Sequence, residues 1–140
     1  MFNDWERELI ESLRVARLAT VGYDGRPHIV PVCYAYHAGH FYISVDEKPK
    51  RGPRVARVRN IEGDPRVSLL FDRYDDDWTQ LAWVRVDGLA AVFARGDYAP
   101  AALEALRARY PQYGEMALER LPLIVVTPER VASWRWGEGG

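Results

Sequence analysis

The amino-acid sequence predicts a mainly β fold with flanking helices: a small antiparallel barrel of six strands, closed or partly closed. Three observations carry that reading. Short runs of period-two apolar alternation recur, turns containing Gly, Pro or Asp join them, and β-branched and aromatic residues are frequent, with 12% aromatics in 140 residues. Closure would remove the edge-pairing hazard that a flat six-stranded sheet faces. Length and a 48% hydrophobic content suit one domain over residues 1–140, able to bury a core without staples.

The chain opens on a helix. Asn3 and Glu6 have capping-box spacing, and Phe2, Trp5, Leu9 and Leu13 recur at helical intervals. The period then changes. Residues 15–23 and 28–36 read as a hairpin across Asp24-Gly25, a pair that tolerates the positive φ of a tight turn. Both faces of the second strand are apolar, which predicts burial on both sides. Pro31 lacks an amide donor and predicts a bulge or an interrupted ladder. Ala38-Gly39 turns the chain into residues 40–46, where Phe41, Ile43 and Val45 alternate inward.

A short helix is expected from about Pro53 to Glu62, with Gly63 at its C′ position and Pro65 preventing continuation. Val55, Val58 and Ile61 make its apolar stripe, and Arg54, Arg57 and Arg59 lie off that stripe. A strand over 66–72 and an acidic loop through Trp78 follow. The next strand, 81–93, is long and should bend at Asp87-Gly88. Helical turns over 101–110 and 113–121 precede a last strand, 123–136, broken near Pro128.

Charge is unevenly placed. Both lysines and four arginines fall between Lys48 and Asn60 with no acidic residue among them, a +6 stretch in a chain of net charge −1. Solvated loops usually mix signs, so this concentration predicts an anionic ligand, with Gly52-Pro53 suited to open a helix whose amides point at it. Nucleic acid is a poorer match, because the pI is near 6.3 and no RNP-like aromatic motif flanks the strands.

Other chemistries find little support. Asp72, Asp75, Asp76 and Asp77 lack the glycine and distal glutamate of an EF-hand and read as a strand-connecting loop. His28, His37 and His40 lack zinc spacing, so no metal is expected. No nucleophile elbow, P-loop or triad occurs, and no catalytic residue can be named. Cys33, the single cysteine, reads as a buried small hydrophobe and points to a reducing compartment. Acidic residues interrupt the first ten positions, and the longest apolar run, 29–36, is too short to span a bilayer. A soluble cytoplasmic protein is the expectation.

The segments RVARLATVGYDGRPHIVPVCYAYHAGHFYISVDEKPKR and RNIEGDPRVSLLFDRYDDDWTQLAWVRVDG resemble the pyridoxamine 5′-phosphate oxidase-like (PPOX class) split β-barrel family, the FMN-binding split barrel. Within it they look like the actinobacterial branch that uses the deazaflavin coenzyme F420, over residues 9–136. The resemblance implies a six-stranded antiparallel split β-barrel and a homodimer with coenzyme sites at the subunit interface. It implies a ring lying against Val30, Pro31, Val32, Cys33 and Ser44, and a phosphate and glutamyl tail held by Lys48, Lys50, Arg51, Arg54 and Arg57. Trp78, Trp83 and Arg85 would close the pocket, from the other subunit in one arrangement. The activity implied is that of an F420-dependent oxidoreductase passing a hydride to a conjugated small molecule, with Tyr34, Tyr36, His28 or solvent as proton donor. Six cations exceed the needs of one phosphate, which favours the polyanionic F420 over FMN. An FMN-dependent enzyme of the same fold, and a non-catalytic coenzyme- or haem-binding protein, are the alternatives.

Overall fold

The structure, a computed structural model, describes residues 1–45, 55–94, 98 and 100–138. Helix α1 (Asp4–Ser12) begins where the capping box predicts. Asn3 Oδ1 accepts the Glu6 N–H, and Glu6 Oε1 accepts the Asn3 N–H, each at 2.9 Å. Leu9 and Ile10 on this helix are buried, and Trp5 and Leu13 pack at the margin of the same core.

Strands β1 (Ala16–Val21), β2 (Pro27–Val32), β3 (Ala35–His37), β4 (His40–Ser44), β5 (Arg66–Arg73), β6 (Ala82–Phe93) and β7 (Leu123–Arg135) form one antiparallel sheet. Its order is β2-β1-β5-β6-β7-β4-β3. The sheet is curled and open, a half-barrel that matches the expected split-barrel architecture. It has seven strands rather than six because the expected second strand divides at Cys33 and Tyr34. Pro31 does not interrupt the ladder. It stays in register opposite Arg17, which an edge strand allows. The edge position also corrects the expectation of two-sided burial: Ile29 is 64% exposed, while Val32 faces the core.

Ala38 (φ 51°) and Gly39 (φ 85°) form the two-residue turn between β3 and β4, the backbone that a type I′ hairpin demands. Phe41, Ile43 and Val45 face inward as the alternation predicts. The long pair β6–β7 slips register between Asp87 and Gly88. Asp87 lies opposite Arg130 and Gly88 opposite Pro128, so Glu129 is the extra residue of a bulge. A Cβ on Gly88 would sit 2.3 Å from the Thr127 carbonyl oxygen, so this position requires glycine for space. The last strand therefore runs through Pro128 instead of breaking there.

Helix α2 (Ala56–Gly63) buries Val58 and Ile61, two members of its expected stripe. Its end differs from expectation. Gly63 is the last helical residue, and extended Asp64 (φ −145°) closes the helix by donating its N–H to the Asn60 carbonyl at 2.7 Å. Residues 52–54, expected to open this helix, lie outside the described residues. Asn60 Nδ2 donates to Thr20 Oγ1 at 3.0 Å and ties α2 to β1.

The expected helix over 113–121 is replaced by two 3₁₀ turns, Pro111–Glu115 and Leu118–Arg120. Gly114 disfavours a continuous helix there, and Arg107 adds a second donor to the carbonyls of Tyr113 and Met116 at 3.2 and 2.8 Å. Helix α3 (Pro100–Arg109) docks through Arg109. Its guanidinium donates to the carbonyls of Tyr34 and Glu11 at 2.8 and 2.9 Å and lies 4.7 Å from the Tyr34 ring centre. The Tyr34 hydroxyl reaches the carbonyls of Ile10 and Leu13 at the end of α1, and burial pushes its pKa upward. Among the described residues no helix is long and apolar enough to cross a membrane.

Candidate functional site

The open sheet leaves a gap between its two ends, and a cavity of about 270 Å³ lies there. Val30, Pro31, Val32 and Cys33 reach it from the edge strand β2 and the residue beyond it, and Ile43 and Ser44 from β4. Arg57 enters from the first turn of α2 and Tyr113 from the first 3₁₀ turn. The position follows from pairing. β3 stops pairing with β4 at Tyr42, so Ile43 and Ser44 have β7 on one side and no described strand on the other.

Six residues singled out from sequence, Val30, Pro31, Val32, Cys33, Ser44 and Arg57, thus line one cavity. Lys48, Lys50, Arg51 and Arg54 lie outside the described residues. Trp78, Trp83 and Arg85 do not line it. Trp78 is 59% exposed at the turn before β6. Trp83 stands on the outward face of β6 opposite Trp134. Arg85, on the same face, is held by Asp87 at 3.1 Å, and Asp87 also binds Ser68 at 2.7 Å and Arg130 at 3.3 Å. Burial opposes ionisation of Asp87, but these donors outweigh it and keep its pKa below the usual carboxylate range.

Tyr34, one of the named proton-donor candidates, has its hydroxyl engaged at the end of α1. Tyr36 packs in an aromatic cluster with Phe2 and Phe41, and His28 lines a different hollow. The acidic loop builds its own turn. Asp75 accepts the Asp77 N–H at 2.7 Å, and Asp77 accepts both the hydroxyl and the N–H of Thr79, which lowers its pKa.

Tyr113 was not anticipated as a lining residue. Its stretch reads as helix, and no local signal sends one side chain across to β4. Ile43 was placed inward by alternation but not assigned to a site. The finished cavity sets aliphatic walls beside one guanidinium, a thiol, a hydroxyl and a phenol. Such a set can bury a flat apolar body and grip an anionic substituent.

A curled antiparallel sheet with a cavity at its open seam defines the split β-barrel class of proteins. Within that class the chain belongs to the pyridoxamine 5′-phosphate oxidase family, whose model matches residues 2–135. Among solved structures it is similar to the conserved hypothetical protein Rv2991 of Mycobacterium tuberculosis, at 26% identity and TM-score 0.72, covering 96% of this chain and 86% of that one. It is similar to a haem-binding protein of Mycobacterium smegmatis at 22% identity and TM-score 0.75, covering 99% of this chain but only 57% of that longer one. The haem storage protein HutZ of Vibrio cholerae matches at 17% identity and TM-score 0.68, covering 92% of this chain and 90% of that one.

These relatives correct the functional expectation. Proteins sharing this fold are named for haem binding and haem storage. An F420-dependent oxidoreductase, with F420 or FMN as its coenzyme, therefore does not follow from the resemblance, and neither does enzymatic turnover. The physical reason is plain. A cationic patch recognises negative charge, and propionates satisfy it as well as a phosphodiester does. The six-cation argument could rank anions by charge but could not identify the ring attached to them.

Proposed function

We propose that this chain is a non-catalytic haem-binding protein, with the cavity at the open seam as the seat of the macrocycle. The observation that carries the reading is the pairing of aliphatic walls (Val30, Val32, Ile43) with the Arg57 guanidinium in one cavity. A porphyrin asks for both. Its faces gain about 25 cal/mol per Å² of apolar area removed from water, and its propionates want a planar forked donor. Cys33 and Tyr113 add a thiol and a phenol, two side-chain types that ligate haem iron. Bound haem would bring an iron centre, while this chain's residues bury the ring and hold its acidic edge. The relatives named for haem support the ligand class.

A volume of about 270 Å³ falls just under the ~300–1,000 Å³ usual for ligand pockets. A macrocycle thus extends past what the described residues of one chain enclose, and a second copy is the proposed other wall. The outward face of the sheet suits that contact: Ile29 and Leu89 are exposed, and Trp83 and Trp134 stand half-buried side by side. Trp83 and Arg85 would serve the site from that partner.

Haemin titration followed at the Soret band tests the reading. Saturable binding is expected, with Arg57→Glu weaker by about tenfold or more, the scale of one charge-assisted hydrogen bond, and an unchanged far-ultraviolet spectrum. Under a reductant and oxygen the macrocycle should be recovered intact. Loss of the Soret band to a bilin spectrum would overturn the non-catalytic part. Wild-type affinity in Arg57→Glu would overturn the placement.

A further inference from the structure

The arginines of α2 serve two different hollows. Arg57 lines the seam cavity, whereas Arg59 and Asn60 line a separate concavity of about 450 Å³ against the β1–β2 turn, with Tyr23, Arg26 and His28. A neighbouring hollow of about 440 Å³ shares Tyr23, Arg59 and Asn60 and adds Asp64 and Arg66. Each is larger than the seam cavity, and neither contains any of its lining residues.

The frame of this region is well tied. The Gly22 N–H donates to the Arg26 carbonyl and the Gly25 N–H to the Gly22 carbonyl, both at 2.9 Å. Asp24 accepts the Arg26 N–H at 3.1 Å, and the Asn60–Thr20 bond fixes the facing helix. Charge inside the frame is unbalanced. Arg26 has Asp24 at 3.6 Å and Arg66 has Asp64 at 2.7 Å. Arg59 has no ion pair among the described residues. Lining the same hollow, His28 Nδ1 is buried with no hydrogen-bond partner among them. A buried polar atom without a partner is uncommon in folded proteins and calls for an explanation. At the rim, the Tyr23 ring is fully exposed.

We propose that this hollow is a second ligand site, for a small aromatic molecule carrying an oxyanion. Arg59 grips the oxyanion with its fork, the half-buried His28 ring lines the hollow beside it, and the aromatic ring lies against Tyr23. Phosphate and carboxylate share the recognition chemistry, and one unneutralised guanidinium fits one such group. The site is independent of the haem reading, because no residue is common to the two.

Titration of the full chain with phenyl phosphate and, separately, benzoate, followed by amide NMR shifts, tests it, with phenol as the uncharged control. At least one oxyanion should saturate the signals of Tyr23, His28 and Asn60, and phenol should not. Arg59→Gln should weaken that binding about tenfold or more, while Arg57→Gln leaves it unchanged. Tyr23→Ala, at a fully exposed position, should weaken the aromatic probe but not inorganic phosphate. Saturation by neither oxyanion, equal binding of phenol, or wild-type affinity in Arg59→Gln would each overturn the proposal. Haemin affinity should be unaltered in Arg59→Gln, so failure here and failure of the haem reading are separable.

Discussion

Gly88 shows how much one residue decides in this sheet. The bulge at Glu129 brings the Thr127 carbonyl so close that an added methyl group would sit 2.3 Å from its oxygen. Gly88→Ala should therefore destabilise the protein by about 1–3 kcal/mol, the usual cost of overpacking, measured as a lower urea midpoint at unchanged slope. Glu119 is the corresponding electrostatic case. Arg107 donates to its two oxygens at 3.0 and 2.9 Å and holds the carboxyl pKa at about 2, against an ordinary 4.5. A folded-state pKa below the unfolded one stabilises the fold fully above the ordinary value, and the contribution is lost as pH falls through the depressed one. The carboxyl resonance of Glu119 should titrate well below that of a free glutamate, and Arg107→Met should return it to the ordinary range.

Elements were legible in sequence where a local rule dictated them. Asn3 and Glu6 carry a reciprocal cap, Ala38-Gly39 supplies two positive φ angles, and Asp87-Gly88 marks the bulge. Asn3→Ala should cost about 1 kcal/mol of stability in denaturant melts, because it removes the side-chain acceptor from the first turn. Elements were misread where their place in the sheet decided. The strand after the first turn looked buried on both faces, yet it is an edge strand, and its apolar composition does not reveal which neighbours it lacks. The Tyr34–Arg109 joint was invisible for a similar reason. It links residues 75 apart in sequence and closes the end of α1 with a buried phenol. Tyr34→Phe should cost ~1–3 kcal/mol through the Ile10 carbonyl left without its donor, while the Leu13 carbonyl keeps the Arg109 guanidinium.

At the scale of the whole molecule, the open seam, the exposed Ile29 and Leu89 of the outward face and the small cavity belong to one proposal of paired chains. Ile29→Lys should shift the protein toward monomer in light scattering and weaken haemin binding with it, while a chain that stays paired and binds normally would remove the outward face of β2 from that contact. The position of the seam cavity was partly readable, since Val30 to Cys33, Ser44 and Arg57 converge there. Its contents were not. The number and sign of charges are local properties of a sequence, but the identity of a planar ligand depends on the width of a slot assembled from four distant segments.

The margin of β4 at Ile43 and Ser44, unpaired on one side among the described residues, has a consequence for how such proteins diversify. Peptide groups along that margin are the same whatever side chains the gene encodes, so substitution can reshape or recharge the cavity while those main-chain groups stay in place. Under the haem proposal, altering a few neighbours would change which ligand is held while that main-chain edge stays as it is.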